Sequence, residues 1–145
     1  MEITSNYALV VVKLYTFAFR VVLATDAQFR LKVVIKLFQF SDNRAKNQVI
    51  QSQYRNELAA LQSAQDSSRI IKLIDSYEET YYIEKNGTKI RVAAIVTEYS
   101  EEGSLLNYLE KHGNLKETVC RYYFRQIIES TTSFLRLVFS NFAML

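Results

Sequence analysis

The sequence predicts an α+β fold, an antiparallel sheet with one helix packed across it and more helices to follow. Three observations carry that expectation. β-Branched apolar runs fall into two groups, a helical stretch free of Gly and Pro separates them, and the pattern turns wholly helical after Tyr99. The segments between successive strands are short, which suits antiparallel pairing; a parallel doubly wound sheet would need a helix between most strands.

Residues 7–12 are β-branched and apolar and make a first strand. Residues 20–25 make a second, with Asp26-Ala27-Gln28 as the turn after it, and residues 31–38 (LKVVIKLF) a third. Residues 44–65 carry Ile50, Tyr54, Leu58 and Leu61 at helical spacing, which predicts a long amphipathic helix. Strand character returns at 70–77, at 81–84 and at 90–99, the last two flanking Asn86-Gly87, a two-residue hairpin signal. Helices are expected over 104–111 and from 116 to about 135, with His112-Gly113-Asn114 as the break. Pro is absent and Gly numbers three, poor punctuation for a chain that must turn this often.

Composition narrows the function classes. A chain of 145 residues fits one domain with a modest core, and 49% hydrophobic with 23% charged residues is ordinary for a globular protein. The net charge of +3 is spread along the chain, whereas a nucleic-acid footprint needs clustered Lys and Arg. The lone Cys120 has no internal disulfide partner, and the lone His112 excludes two-His zinc sites. The start carries Glu2 and no basic segment, unlike a signal peptide, and the early apolar run at 8–12 is far too short to span a bilayer. An intracellular location, cytoplasmic or nuclear, with neither membrane nor nucleic-acid partner is expected.

Two charges sit among apolar residues. Faces alternate along a strand, so Lys36 shares a side with Val34 and Phe38. Glu57 follows Tyr54 by three residues and precedes Leu61 by four, on the apolar side of the long helix. Either both side chains reach solvent at the edges, or they pair; burying either alone costs several kcal/mol.

Val33-Val34-Ile35-Lys36 resembles the V-A-I-K strand of eukaryotic protein kinases, which a helix bearing an acidic partner follows. Ile95-Val96-Thr97-Glu98-Tyr99 resembles the strand entering the kinase hinge. Glu102-Gly103-Ser104-Leu105-Leu106-Asn107-Tyr108-Leu109 is similar to the stretch that opens the next lobe, and Arg121-Tyr122-Tyr123-Phe124-Arg125-Gln126-Ile127-Ile128 to the helix leading to the catalytic loop. The pieces occur in family order. Tyr54-Arg55-Asn56-Glu57-Leu58 and Ile70-Ile71-Lys72-Leu73-Ile74-Asp75 are similar to the dual-specificity monopolar-spindle checkpoint kinases.

The resemblance implies a partial kinase domain over 1–145. Its five-stranded antiparallel sheet and crossing helix would occupy 7–99, a hinge 100–103, the first two helices of an incomplete second lobe 104–135, and a divergent tail 136–145. It implies that Lys36 holds the α- and β-phosphates of ATP and that Glu57 orients Lys36. Val21 and Val34 would line the slot above adenine, with Val34 crowding the purine where kinases usually carry Ala. Thr97 would be the gatekeeper, and the carbonyl of Glu98 and the amide of Ser100 would meet the adenine edge. Partners would be protein substrates modified on Ser, Thr or Tyr, and Mg²⁺ would join only in a complete domain.

Two departures from the family follow. Counted back from Lys36, the three glycine positions of the phosphate loop hold Leu14, Thr16 and Phe19; a shifted frame gives Tyr15, Phe17 and Arg20. Glycine there lets backbone amides approach phosphate without a Cβ in the way, so weak or absent nucleotide binding is expected. Past residue 135 the family shows H-R-D and then D-F-G, but residues 136–145 read RLVFSNFAML. No catalytic or metal-binding residue is therefore assigned, and the chain as written is expected to be an inactive kinase fragment. The alternative is a pseudokinase-like interaction module. Val119, Tyr123, Ile127 and Phe134 would then lie uncovered, available to a partner or prone to aggregation.

Overall fold

Five apolar runs pair into one sheet: β1 (Tyr7–Tyr15), β2 (Phe19–Asp26), β3 (Lys32–Gln39), β4 (Leu73–Ile83) and β5 (Lys89–Glu98). The computed structural model describes residues 2–15, 19–84, 86–101 and 103–142; expectations resting on Thr16, Phe17, Glu102, the Phe134 side chain or residues 143–145 lie outside that set. The strand order is β1-β2-β3-β5-β4 and every pairing is antiparallel. A helix, α1 (Arg44–Ser63), connects β3 to β4, and this crossover leaves the place beside β3 for β5.

The alternation of side chains along each strand divides the core in two. Val22, Ala24, Val33, Ile35, Leu37, Val92, Ala94 and Val96 form one buried cluster, and the sheet curls so that Ile3, Tyr7 and Tyr82 belong to it. Phe38, Ala93 and Ile95 point to the other side, where Tyr54 of α1 completes a second cluster. Ile50, Leu58 and Leu61, the other apolar positions of that helix, pack against it half-buried. The apolar spacing in the sequence thus selects the helix face that meets the sheet.

Two local expectations need correction. The runs 70–77 and 81–84, expected as separate strands, are joined in one continuous β4 that begins only at Leu73 and ends at Ile83. Its polar middle holds strand geometry because Glu78 pairs with Arg55 of α1 and Glu79 with Arg91 of β5, and the register shift between Tyr77 and Thr80 absorbs the irregularity. The β4–β5 connection is also longer than two residues, since Ile83 pairs with Lys89. Asn86 Oδ1 accepts from the Thr88 amide at 2.9 Å and the Gly87 amide donates to the Glu84 carbonyl at 2.9 Å, so Asn86-Gly87 form one corner of a wider loop.

The chain divides into two compact units, one of residues up to Gln62 with Ile71–Tyr99, the other of Ser63–Ile70 with the residues from Ser100 onward. The second contains α2 (Leu105–His112) and α3 (Glu117–Phe142). Ser104 caps α2, its Oγ accepting from the Asn107 amide at 3.1 Å, and Gly113 ends it at φ 74°, a left-handed backbone that favours glycine. Arg69 pairs with Glu129 of α3 at 2.5 Å. α3 continues past the expected end near residue 135. Val119 and Tyr123 are half-buried and Ile127 is exposed, and a groove of about 480 Å³ opens among Leu105, Leu109, Leu115, Tyr123, Phe124 and Ile127. No helix among the described residues is long and apolar enough to cross a membrane.

Candidate functional site

β2, β3 and β5 lie side by side, and their register gathers the candidate residues. Val21 stands opposite Lys36, and Val34 stands opposite both Leu23 on β2 and Thr97 on β5. Directly opposed residues share a face, so Val21, Val34, Lys36 and Thr97 line one side of the sheet, the side that carries Phe38 and receives α1. Val21, Val34 and Thr97 are half-buried and belong to neither core cluster, which leaves them as the lining of a surface.

The position of α1 decides where Glu57 reaches. Asn43 starts the helix, its Oδ1 accepting from the Lys46 amide at 3.1 Å. Tyr54, 2% exposed, meets Phe38 edge-on with ring centroids 5.8 Å apart. On the outer side Arg55 donates from Nε to Glu78 of β4 at 3.1 Å, and its guanidinium holds the Glu78 carboxyl below the usual carboxylate range. With the helix docked at Tyr54, the Glu57 carboxylate lies beside the sheet and accepts from Lys36 Nζ at 2.6 Å. Of the two expectations left open for these charges, pairing is what the fold adopts. The pair is partly open to water, with side chains 24% and 37% exposed. Such a pair orients an amine more than it stabilises the fold, contributing of order 0–1 kcal/mol.

Aromatic rings complete the surroundings of the amine. The Phe19 ring centroid lies 4.2 Å from Lys36 Nζ and that of Phe38 5.1 Å, both within cation–π range. Phe19 is the contact that sequence reasoning missed: it sits at an expected glycine position and signals only a departure from the family. The available signal was its spacing of two residues from Val21, which puts it on the site's face. Of the other loop positions, Leu14 pairs with Val21 and Tyr15 with Arg20 at the end of β1.

Glu98 ends β5 opposite Val33; its amide donates to the Lys72 carbonyl at 3.0 Å and its carboxylate accepts from the Lys72 amide at 2.8 Å. Ser100 opens the longer segment of the second unit, where its carbonyl accepts from the Gly103 amide at 3.4 Å. His112 and Cys120 are exposed; the His112 ring packs at a tilt against Tyr108 with centroids 4.5 Å apart. Among the described residues no three His, Cys, Asp or Glu side chains are grouped to hold a metal ion.

A lysine on the third strand of a five-stranded antiparallel sheet, held by a glutamate of the crossing helix, is the arrangement expected from the V-A-I-K resemblance. The family model described as protein kinase domain matches residues 18–135. The chain belongs to the protein kinase domain family. Among solved structures, this kinase-domain chain is similar to the crystal structure of Rad53 1-466 in complex with AMP-PNP, with a TM-score of 0.63 and 19% sequence identity. The likeness covers 88% of this chain and 30% of that one, and at this identity it concerns the fold. No curated protein matches the kinase-domain chain in sequence.

Proposed function

We propose that this chain is the nucleotide-gripping lobe of a protein kinase together with the opening of the lobe that follows. Lys36 is the amine for the α- and β-phosphates of ATP and Glu57 is its positioning residue. The 2.6 Å contact between them carries this reading, since it aims a point cation along the sheet face that Val21, Val34 and Thr97 make apolar. The carbonyl of Glu98 and the amide of Ser100 serve the adenine edge, residues 100–103 form the hinge, and residues 104–135 begin the second lobe. When a complete site binds ATP, Mg²⁺ supplies charge neutralisation at the phosphates. The presence of AMP-PNP in the Rad53 structure supports an adenine nucleotide as ligand.

The finer assignment is to Ser/Thr kinases, with the dual-specificity monopolar-spindle group favoured by the sequence around Tyr54 and Ile70. The substrates are proteins. These 145 residues contain neither H-R-D nor D-F-G, so on their own they are expected to hold nucleotide without transferring phosphate. A second reading, a pseudokinase-like interaction module, is favoured by the apolar side chains that α3 leaves open, Tyr122, Phe124, Ile127 and Ile128, each at least half exposed.

A thermal-shift titration with millimolar ATP and Mg²⁺ tests the nucleotide reading. The unfolding temperature of the chain should rise with ligand, and Lys36→Met should abolish the rise. No shift in either protein removes ATP from the function and leaves the fold assignment intact.

A further inference from the structure

Phe19 opens β2 in register with Phe38, so the two rings flank the Lys36 position from neighbouring strands. Lys36 Nζ has three N–H donors. Glu57 Oε2 takes one direction at 2.6 Å, the Phe19 ring lies at 4.2 Å and the Phe38 ring at 5.1 Å. Phe38 is a core residue, 2% exposed, and cannot leave without emptying the second cluster. Phe19 is half-buried, belongs to neither cluster, and is the ring nearer the amine. A phosphate oxygen must approach the amine to about 2.8 Å. Phosphate and the Phe19 ring therefore compete for the same face of one cation, whereas an adenine ring against Val21, Val34 and Thr97 makes no demand on it.

We infer that Phe19 sets the ligand selectivity of this site: by covering the Lys36 amine it disfavours phosphate-bearing adenine ligands relative to phosphate-free ones. The inference rests on the proposed role of Lys36 as the phosphate-holding group. Phe19 touches the amine and acts on the ligand through it, which makes it a selectivity residue and not a catalytic one.

Calorimetric titration with adenosine and with ATP–Mg²⁺ tests this on the 145-residue chain, Lys36→Met, Phe19→Ala, Phe19→Leu, and Phe19→Ala combined with Lys36→Met. Phe19→Ala should tighten ATP binding about tenfold, the worth of one partly desolvated cation–π contact, while adenosine stays within about twofold. Adding Lys36→Met should cancel the gain. Phe19→Leu keeps apolar bulk but lacks the aromatic face, so it folds if Phe19→Ala does not, and it should favour ATP over adenosine by about threefold relative to the parent. In the parent, the Lys36 side-chain protons should show an upfield ring-current shift in NMR spectra that Phe19→Leu reduces to the part due to Phe38. An unchanged ATP-to-adenosine ratio in the Phe19 variants, with Lys36→Met still weakening ATP, would overturn the selectivity role alone. ATP affinity indifferent to Lys36→Met, or no binding of either ligand to any variant, would overturn the phosphate reading and the selectivity role together.

Discussion

Val34 carries two methyl groups where kinases usually carry an alanine, and it does so opposite Thr97, on the face proposed for adenine. Because it lies outside both core clusters, its extra bulk contributes little to packing and mainly narrows the slot. Val34→Ala should tighten adenosine by about fivefold or more, the relief of a crowded contact of ~1–3 kcal/mol, while lowering stability by about 1 kcal/mol. Calorimetry for the ligand and urea unfolding for the fold check the two halves of that expectation. At this scale the sequence is most readable where period and chemistry agree. Lys36 and Glu57 are legible because a charge at an apolar position of a strand and another on the apolar side of a helix each need an explanation. Phe19 is not legible in the same way, since the destination of its ring depends on the β2–β3 register, and register is a relation between strands that neither run of residues contains.

One helix, α1, controls the site through its seat on the sheet. Tyr54 is its one fully buried side chain and makes the edge-on contact with Phe38 that brings Glu57 within reach of Lys36. Tyr54→Ala should cost ~3–5 kcal/mol, read from urea unfolding, and should weaken any Lys36-dependent nucleotide binding as the helix loses its anchor. The helix and the first three strands are legible in the sequence to within a few residues, the helix, β2 and β3 because their periods are undisturbed and β1 because its apolar run persists through two register shifts against β2. β4 is not, because its centre, Glu78 and Glu79, has the polarity of a loop. Arg55 and Arg91 keep those residues in the sheet, and partners supplied by other elements leave no trace in a local pattern. The same holds for α3, whose backbone stays helical through residues that break with the family's sequence.

The curl of the sheet ties its two edge strands together across the first unit. Tyr7 of β1 and Tyr77 of β4 both donate to Asp75 Oδ2, at 3.4 and 2.5 Å, and Asn6 donates to the Tyr77 hydroxyl at 3.2 Å. Burial foremost, then the neighbouring Tyr77 and Asp75, push the Tyr7 phenol well above its ordinary value near 10, and burial raises Tyr77 as well. The folded state thus keeps a proton that the unfolded chain releases. The associated stability is fully present below about pH 10 and falls as pH rises beyond it toward the folded value. The urea midpoint should therefore drop from pH 9 to pH 11 for the parent, and drop less for Tyr7→Phe. None of this closure is legible in the sequence, where Tyr7 reads only as one more strand-forming aromatic.

A smaller feature of the first unit has wider reach. Ala93 is fully buried in the cluster where Phe38 and Tyr54 meet, and it fills its place there with a single methyl group. A larger side chain at that point would act as a wedge under the helix and open the gap that an ammonium and a carboxylate must bridge. A bulkier residue at position 93 should therefore loosen the hold on the amine from within the core: the reach of its partner is gauged by the smallest side chain of that cluster.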